Sequence, residues 1–396
     1  MKSTLGAAAL LFGAGLSACT PQLTDADIDE LATMTMTEAA LPPSPTNQVA
    51  DDPQAVALGR LLFFDERMSS DQTISCASCH DPDAGWSDSR PLSLGVADRE
   101  GRRHSMPIPA AALQSFLLWD GRADSLWSQA IKAIESHPEM DFSRTEVAHF
   151  IAGEYAADYE AIFGPMPSLQ GLPTRALPDM PEWEQLDTEQ RDLADEILAN
   201  VGKVIEAYER QLLCDDTRFD RWVRGEVSFT AAEQAGAAIF VQGGCVGCHS
   251  GPAFSEGLFH NIGIGSGLPE PDRGRSEGLE LLSGDPFNGA GRLSADSTFG
   301  EAKLAATEQE QALLGAFRTP TLRGVGQRRF FGHRGHVERL GSFISNVYDG
   351  PRLQSSAVGE LDPLVRGLDV EGDGDLIAFL RTLDCPAPGP ELARPW

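Results

Sequence analysis

The pentapeptide Cys76-Ala77-Ser78-Cys79-His80 places two thiols three residues apart and an imidazole directly after the second. The same spacing recurs once, at Cys245-Val246-Gly247-Cys248-His249. This pattern is typical of a c-type haem, in which both sulfurs form thioethers to the porphyrin and the histidine binds iron. A zinc site would need further thiol or imidazole partners at zinc-site spacing near each copy, and neither copy has them. The sequence therefore predicts two covalent haems, with His80 and His249 as iron ligands.

The length of 396 residues allows two domains that each bury a core, which matches the two haem motifs in number. Strand-type alternation does not persist anywhere, whereas apolar residues recur at helical spacing, most clearly over residues 187–213. We predict a mainly α fold with two cytochrome c-like helical domains, residues 53–213 and 214–396. Each domain is expected to carry one haem, and long irregular loops are expected between the helices.

The N-terminus has the features of an export signal, with Lys2 followed by an apolar run that is too short to span a bilayer. Its ending, Leu16-Ser17-Ala18-Cys19, resembles the bacterial lipobox, in which the cysteine is lipidated. Ordinary signal cleavage is the alternative. We expect a lipoprotein signal over residues 1–19 and a flexible tether over residues 20–52. The folded body would then lie on the periplasmic side of a bacterial membrane, anchored only through Cys19.

Two cysteines, Cys214 and Cys385, remain once the haem motifs and Cys19 are assigned. In an oxidising periplasm two leftover thiols are more often paired than free. We therefore predict a disulfide between them.

The net charge of −28 disfavours nucleic acid as a partner, because an acidic surface repels phosphates. The same charge would attract a positively charged protein, such as a basic small electron carrier. Electrostatics thus favours a basic redox partner over a nucleic acid.

Several short strings in the chain resemble those of the bacterial di-haem cytochrome c peroxidases and the related MauG-type enzymes, from Gly59 to Leu380. The strings are Trp119-Asp120-Gly121-Arg122-Ala123, Tyr208-Glu209-Arg210, Phe219-Asp220-Arg221, Phe259-His260-Asn261-Ile262-Gly263 and Phe317-Arg318-Thr319-Pro320-Thr321-Leu322-Arg323. The resemblance implies that the first haem is the peroxide site. It also implies that the second haem relays or stores electrons.

The resemblance assigns three catalytic residues. Glu139 and Gln129 match the family's distal glutamate and glutamine, and Trp119 matches the tryptophan between the two haems. Cleavage of a bound peroxide requires a group that moves a proton from the inner to the outer oxygen, which is general acid–base chemistry. From the sequence alone, Glu139 would be a surface acid, Gln129 a helix-face residue and Trp119 a core residue.

The resemblance also bears on the axial ligands of both haems. Val96 stands where some members have a histidine that closes the peroxide face, so we predict an open, high-spin first haem in the fully oxidised protein. Typical members bind the second iron with a methionine, yet this chain has none after Met180. Tyr348 aligns best as the sixth ligand, as in MauG-type enzymes. The alternative ligands are His260, His333 and His336.

The family's calcium site between the haems is expected to be absent or weak. The matching positions hold His104, Arg328 and Phe330, where the family usually has Asn, Thr and Pro. A cationic Arg328 could fill that space electrostatically.

The resemblance implies a periplasmic peroxidase that reduces hydrogen peroxide to water with electrons from a small redox protein, a cytochrome c or a cupredoxin. Electrons would pass from the second haem to the first. One alternative is a MauG-like enzyme that uses peroxide to oxidise Trp or Tyr of a partner protein. Another is a di-haem electron-transfer protein without peroxide chemistry, although a distal acid such as Glu139 weighs against it.

Overall fold

The structure is a computed structural model that describes residues 21–36, 41–265, 271–307, 310, 313–348, 357–367 and 373–396, without the side chains of residues 346–348, 366–367 and 373. Within these ranges the chain is mainly helical, which confirms the predicted fold class. The described strands are four two-residue segments that form two antiparallel pairs.

In chain order, the described helices are α1 (Asp25–Ala32), α2 (Pro53–Phe64), α3 (Cys76–Cys79), α4 (Leu126–Glu135), α5 (Arg144–Glu154), α6 (Ala156–Phe163), α7 (Pro181–Glu184), α8 (Thr188–Glu209), α9 (Arg218–Val223), α10 (Ala231–Gln242), α11 (Arg275–Ser283), α12 (Ser297–Ala305), α13 (Leu340–Tyr348) and α14 (Asp373–Leu380). The paired strands are β1 (Phe259–His260) with β2 (Phe317–Arg318), and β3 (Phe330–Phe331) with β4 (Val337–Glu338).

The first core forms around α8, against which α2, α4 and α5 pack. The Asp187 carboxylate caps α8 by accepting a hydrogen bond from the Gln190 backbone N–H at 2.9 Å. Gly59 lets α2 approach α8 closely, since a Cβ there would lie 1.8 Å from the Val204 carbonyl oxygen. The buried apolar residues of this core come from residues 49–212 and Phe287.

The second core forms where α10 packs against α14. Its buried apolar side chains come from residues 219–383, together with Leu31 and Met34. A fully buried ion pair joins Arg323 to Asp220 at 2.8 Å and ties α9 to the loop after β2. The two largest buried clusters therefore divide the chain between residues 212 and 219, apart from Phe287 and the N-terminal segment.

The predicted flexible tether over residues 20–52 is wrong for residues 21–36 and 41–52. Helix α1 forms there, and Leu31 and Met34 are fully buried in the second core. The Met36 backbone N–H donates to the Asp220 carboxylate at 3.0 Å, and the Asn47 amide donates to a carbonyl of α8 at 3.0 Å. Two apolar residues at i and i+3 provide a buried face that a composition rich in Thr, Pro and Asp conceals. Residues 1–20, including Cys19, lie outside the described residues.

The predicted disulfide is confirmed, because Cys214 and Cys385 are bonded with Cα atoms 5.0 Å apart. It joins the segment after α8 to the segment after α14. Among the described helices, none combines the length and the apolar composition that crossing a bilayer requires.

Candidate haem centres and active site

The first haem motif forms one helical turn, α3, directly followed by His80. The His80 backbone N–H donates to the Cys76 carbonyl at 2.9 Å, which keeps the two thiols and the imidazole close together. The His80 Nδ1 lies 3.3 Å from the Trp86 carbonyl oxygen and can donate to it. The Nε2 lone pair, which lies 3.4 Å from the Ser105 hydroxyl, would then bind iron. Burial lowers the pKa of His80, which keeps the ring in its neutral, ligating form.

The second haem motif repeats this arrangement in a 3-10 turn, Cys245–Gly247. The His249 backbone N–H donates to the Cys245 carbonyl at 2.9 Å, and His249 Nδ1 lies 2.9 Å from the Phe254 carbonyl oxygen. Burial again lowers the pKa of the histidine. Both histidines can therefore present a neutral Nε2 to iron.

Each motif lines its own cavity. Cys76, Cys79 and His80 line a first cavity of about 290 Å³. Cys245, Cys248 and His249 line a second cavity of about 570 Å³. The remaining wall residues are mostly apolar in the second cavity, whereas the first cavity mixes apolar residues with polar and charged ones such as Arg103, Asp120 and Arg122. A c-type haem requires two thiols, one neutral imidazole and apolar side chains on which the porphyrin can pack. Both cavities have all three, so both fit the group.

Glu139 and Gln129 lie in the first cavity. Gln129 is on α4, and Glu139 lies in the turn that follows, where its backbone N–H donates to the Ser136 carbonyl at 2.9 Å. Desolvation by the surrounding protein raises the pKa of Glu139 to about 7, while Arg122 and a hydrogen bond with Ser136 oppose this rise. Near neutral pH both protonation states are populated, as a general acid–base group requires.

Val96 contacts the Glu139 backbone and is not one of the residues that line the first cavity. Its N–H donates to the Glu139 carbonyl at 2.8 Å. The preceding Gly95 permits this approach, since a Cβ there would lie 2.2 Å from the Pro138 carbonyl oxygen. Val96 thus supports the segment that carries Glu139 and offers no iron ligand.

Trp119 lines both cavities. Its indole N–H donates to the His104 carbonyl at 2.8 Å, which fixes the ring in place. The ring also meets the His333 ring edge-on, with centroids 6.5 Å apart. The residues that line both cavities are His104, Ser105, Pro107, Trp119 and Arg318.

Tyr348 is the last residue of α13, and its side chain lies outside the described part of the structure. The same helix borders the second cavity through Leu340, Phe343 and Ile344. The backbone of the predicted sixth ligand therefore belongs to an element that forms the wall of the second haem cavity. Its role as a ligand stays a prediction.

The three alternative histidines differ in their ability to bind iron. Both ring nitrogens of His260 are already engaged by carboxylates, since Nδ1 lies 2.7 Å from Asp362 and Nε2 lies 3.2 Å from Glu256, so neither is free for iron. His336 is not part of the cavity wall. Of the three, His333 combines a place in the wall with a ring nitrogen that no described side chain engages.

His333 is buried and stacks on Phe317 with ring centroids 3.8 Å apart. Burial lowers its pKa to about 3, so the ring is neutral. Its Nε2 is buried and has no hydrogen-bond partner among the described residues. His333 is therefore the best placed of the alternative ligands.

The positions that match the family's calcium site form a closed set of contacts. His104 Nδ1 lies 2.9 Å from the Pro91 carbonyl oxygen, and its ring packs edge-on against Phe330. The Arg328 guanidinium donates to the Thr321 carbonyl at 2.8 Å. A permanent cation thus already contacts backbone carbonyl oxygen in this region.

Glu209 is a cavity residue to which no sequence pattern assigned a role. It lines the first cavity, and burial raises its pKa to about 8. Its Oε2 atom has no hydrogen-bond partner in the described structure. A glutamate within the apolar stretch at the end of α8 is the sequence feature that could have indicated a role for Glu209.

Two haem cavities separated by a shared tryptophan define a di-haem c-type protein, and comparison with known proteins agrees. Residues 53–228 match the family described as di-haem cytochrome c peroxidase. The chain belongs to this family, and it is a haem oxidoreductase of the cytochrome c peroxidase type.

Its relatives include both named branches of the family. The cytochrome-c peroxidase IdrP1 of Denitromonas iodatirespirans is 30% identical over 88% of this chain and 86% of the relative. The methylamine utilization protein MauG of Methylorubrum extorquens is 28% identical over 96% of this chain and 91% of the relative. Among solved structures, a MauG-like protein associated with microbial copper homeostasis has the same fold, with a TM-score of 0.65 at 22% identity over 91% of this chain and 98% of that one.

Proposed function

We propose that the protein reduces hydrogen peroxide to water at the first haem centre, with electrons that a small redox protein delivers through the second. The observation that carries this proposal is that Glu139 and Gln129 share one cavity with Cys76 and His80. Trp119, which lines both cavities, lies on the path between the centres. When bound, the two haems supply the metal that binds peroxide and the store for electrons.

The proton transfers fall to the chain's own residues. Glu139, as a carboxylate, takes the proton from the inner oxygen of peroxide and returns it to the outer oxygen, which leaves as water. The Gln129 amide lies in the same cavity and can hold the peroxide or the released water by hydrogen bonding. Two electrons and two protons convert each peroxide into two waters.

Turnover with reduced cytochrome c and peroxide tests the proposal. Glu139→Gln keeps the size of the side chain but removes the base, so turnover should fall by about 10² to 10⁴. Glu182→Gln is the control, because Glu182 is exposed on α7. If the Glu139→Gln variant turns over as fast as the wild type, Glu139 does not have this role.

A MauG-like reaction, in which peroxide drives oxidation of Trp or Tyr on a partner protein, is the second candidate. The absence of methionine after Met180 favours it, together with Tyr348 at the end of a helix that borders the second cavity. A phenolate ligand favours ferric iron and lowers the potential, which disfavours uptake of electrons from a high-potential cytochrome. Slow cytochrome c turnover together with long-lived absorbance changes after peroxide addition would support this candidate.

A simple electron carrier fits the first cavity poorly. A carrier has no use for a distal carboxyl with a pKa near neutrality, and Glu139 is such a group. Peroxide consumption by the reduced protein distinguishes a carrier from both enzymes.

We also propose that the protein is periplasmic and anchored by a lipidated Cys19. The lipobox-like ending of the signal and the Cys214–Cys385 disulfide support this, since disulfides persist in oxidising compartments. Cys19→Ser should release the protein into the soluble periplasmic fraction and abolish labelling with radioactive palmitate. Labelling that persists in Cys19→Ser would contradict the anchor.

The partner and metal proposals have simple tests. A basic donor protein should react more slowly as ionic strength rises, because salt screens the attraction to a chain of charge −28.

Calcium should be absent or weakly bound, with Arg328 as the resident cation. Metal analysis after mild chelation tests this, and one tightly held calcium per chain would refute it.

A further inference from the structure

Buried arginines in this protein generally pair with carboxylates, because a buried charge without a counter-charge is costly. Arg275 pairs with Glu310 at 2.7 Å, and Arg323 pairs with Asp220 at 2.8 Å. Arg318 departs from this rule. Its exposed fraction is only 5%, and no carboxylate of the described residues lies within ion-pair distance of it.

The contacts of Arg318 leave its charge uncompensated. Its Nη1 donates to the Gln114 amide oxygen at 2.7 Å, and its Nε donates to the Leu118 carbonyl at 3.3 Å. Its Nη2 lies 3.3 Å from the Met106 sulfur, a weak acceptor. All three partners are neutral. A guanidinium has five N–H donors, so these contacts leave donor capacity for an anion.

Gln114 provides a second donor that lacks an acceptor. Its amide oxygen accepts from Arg318 and from the Ser255 hydroxyl at 3.4 Å, which fixes the orientation of the amide. The Nε2 atom of this buried side chain then has no acceptor among the described residues. An orphaned amide N–H and an unpaired guanidinium therefore lie side by side.

The position of Arg318 indicates which anion belongs there. Arg318 lines both haem cavities, and its backbone N–H donates to the Trp119 carbonyl at 2.8 Å. The uncompensated charge thus lies where the two cavities meet. A c-type haem carries two propionate carboxylates, and these are the anions that its cavity must accommodate.

We propose that the Arg318 guanidinium, which the Gln114 amide oxygen holds in place, binds a haem propionate at the wall between the two cavities. Arg318 is then a positioning residue that raises the potential of the haem whose propionate it holds, because a nearby cation favours the more reduced iron. This inference rests on the proposed function only in requiring two bound haems.

The test compares holoprotein variants by spectroelectrochemical titration and by resonance Raman of the propionate deformation bands, both without peroxide. Arg318→Gln should lower the one-electron reduction equilibrium constant of one haem about tenfold, which is about 59 mV. Gln114→Glu, which gives Arg318 a protein carboxylate, should act in the same direction. Arg318→Lys should retain most of the potential. Arg329→Gln is the control, since it removes the same charge from an exposed arginine.

Unchanged potentials and unchanged propionate bands in an Arg318→Gln protein that holds two haems would overturn the proposal. If Arg318→Gln fails to incorporate haem, Gln114→Glu decides, and wild-type potentials and bands in that variant would overturn it equally. Peroxide turnover of the wild-type protein tests the proposed function separately, so the two failures are distinguishable.

Discussion

The two haem motifs share one spacing but lie in different surroundings. The first cavity, of about 290 Å³, includes the titratable carboxyls of Glu139 and Glu209. The second, of about 570 Å³, has no carboxyl in its described wall, to which α10, α13 and α14 contribute apolar side chains. Proton transfer requires titratable groups, whereas electron storage does not. The difference supports peroxide chemistry at the first centre and electron storage at the second.

The iron-binding histidines differ in the same sense. The His249 Nδ1 lies 2.9 Å from its carbonyl acceptor, whereas the corresponding His80 distance is 3.3 Å. The Ser105 hydroxyl also lies 3.2 Å from His80 Nδ1 and can compete for it. A stronger hydrogen bond makes a ligating histidine more basic. With haem bound, His249 would therefore be the more electron-donating of the two histidines, which would favour the oxidised state of the second centre.

The largest expected effect comes from removing the haem-linking cysteines of one motif at a time. This tests whether the two centres have different roles. Cys76→Ser with Cys79→Ser should leave one haem per chain and abolish peroxide reduction. Cys245→Ser with Cys248→Ser should also leave one haem and abolish turnover with cytochrome c. This second variant should still consume peroxide with a small-molecule reductant, because the first cavity is intact.

Pyridine haemochrome absorbance and peroxide consumption measure both outcomes. Wild-type protein treated in parallel supplies the two-haem reference. If the first variant kept peroxide reduction and the second lost it, the roles of the centres would be reversed.

The next largest expected effect is the pH dependence of kcat/KM, which tests whether the first cavity contains a general base. Glu139 has a pKa of about 7 and accepts a proton only when ionised, so kcat/KM should rise about tenfold per pH unit up to pH 7 and then level off. Glu139→Gln should lose this dependence. Steady-state rates between pH 5 and 8 measure it, with Glu182→Gln as the control. A wild-type profile that falls over this range would contradict a base at Glu139.

The sequence predicted those features of the molecule that a short stretch of residues determines by itself. The haem motifs and the Cys214–Cys385 pair were predictable, because covalent chemistry requires those residue types. Glu139 and Gln129 were located only through family resemblance. Nothing in residues 126–140 alone indicates that the chain folds them into one cavity.

The features that the sequence did not predict depend on long-range packing. Leu31 and Met34 are buried by α10 and α14, which lie about two hundred residues or more away in sequence. The unpaired charge of Arg318 results from Gln114 and Leu118, which meet it only in the folded protein. No local pattern encodes such a contact, so composition alone suggested a tether in the first case and gave no prediction in the second.

Axial ligation offers a spectroscopic comparison of the two centres. The oxidised protein should show one high-spin and one low-spin EPR signal, since Val96 cannot ligate the first iron. Tyr348→Phe should change only the low-spin signal, and His333→Ala should leave both signals unchanged. The opposite result would identify His333, whose Nε2 has no partner in the described structure, as the sixth ligand.

The smallest expected effect concerns stability, and it arises from Glu209 in the first cavity. Burial, helped by the Glu206 charge, raises its folded-state pKa to about 8, whereas the unfolded value is near 4.5. Between these values the folded state holds a proton that the unfolded state has released. The free energy of unfolding should therefore fall as pH rises, by up to about 1.4 kcal/mol per pH unit. Glu209 contributes this slope from about pH 4.5 to about pH 8.

Glu209→Gln removes this titration while keeping a buried polar side chain of the same size. Its free energy of unfolding should exceed that of the wild type increasingly from pH 5 to 8, as measured by denaturant titration of the holoprotein. Glu182→Gln should run parallel to the wild type, because that exposed side chain changes little on folding. Parallel curves for Glu209→Gln and the wild type would mean that Glu209 is ionised in the folded protein. Because the second cavity has no carboxyl in its described wall, such a result would leave Glu139 as the group of the first cavity that holds a proton near neutral pH.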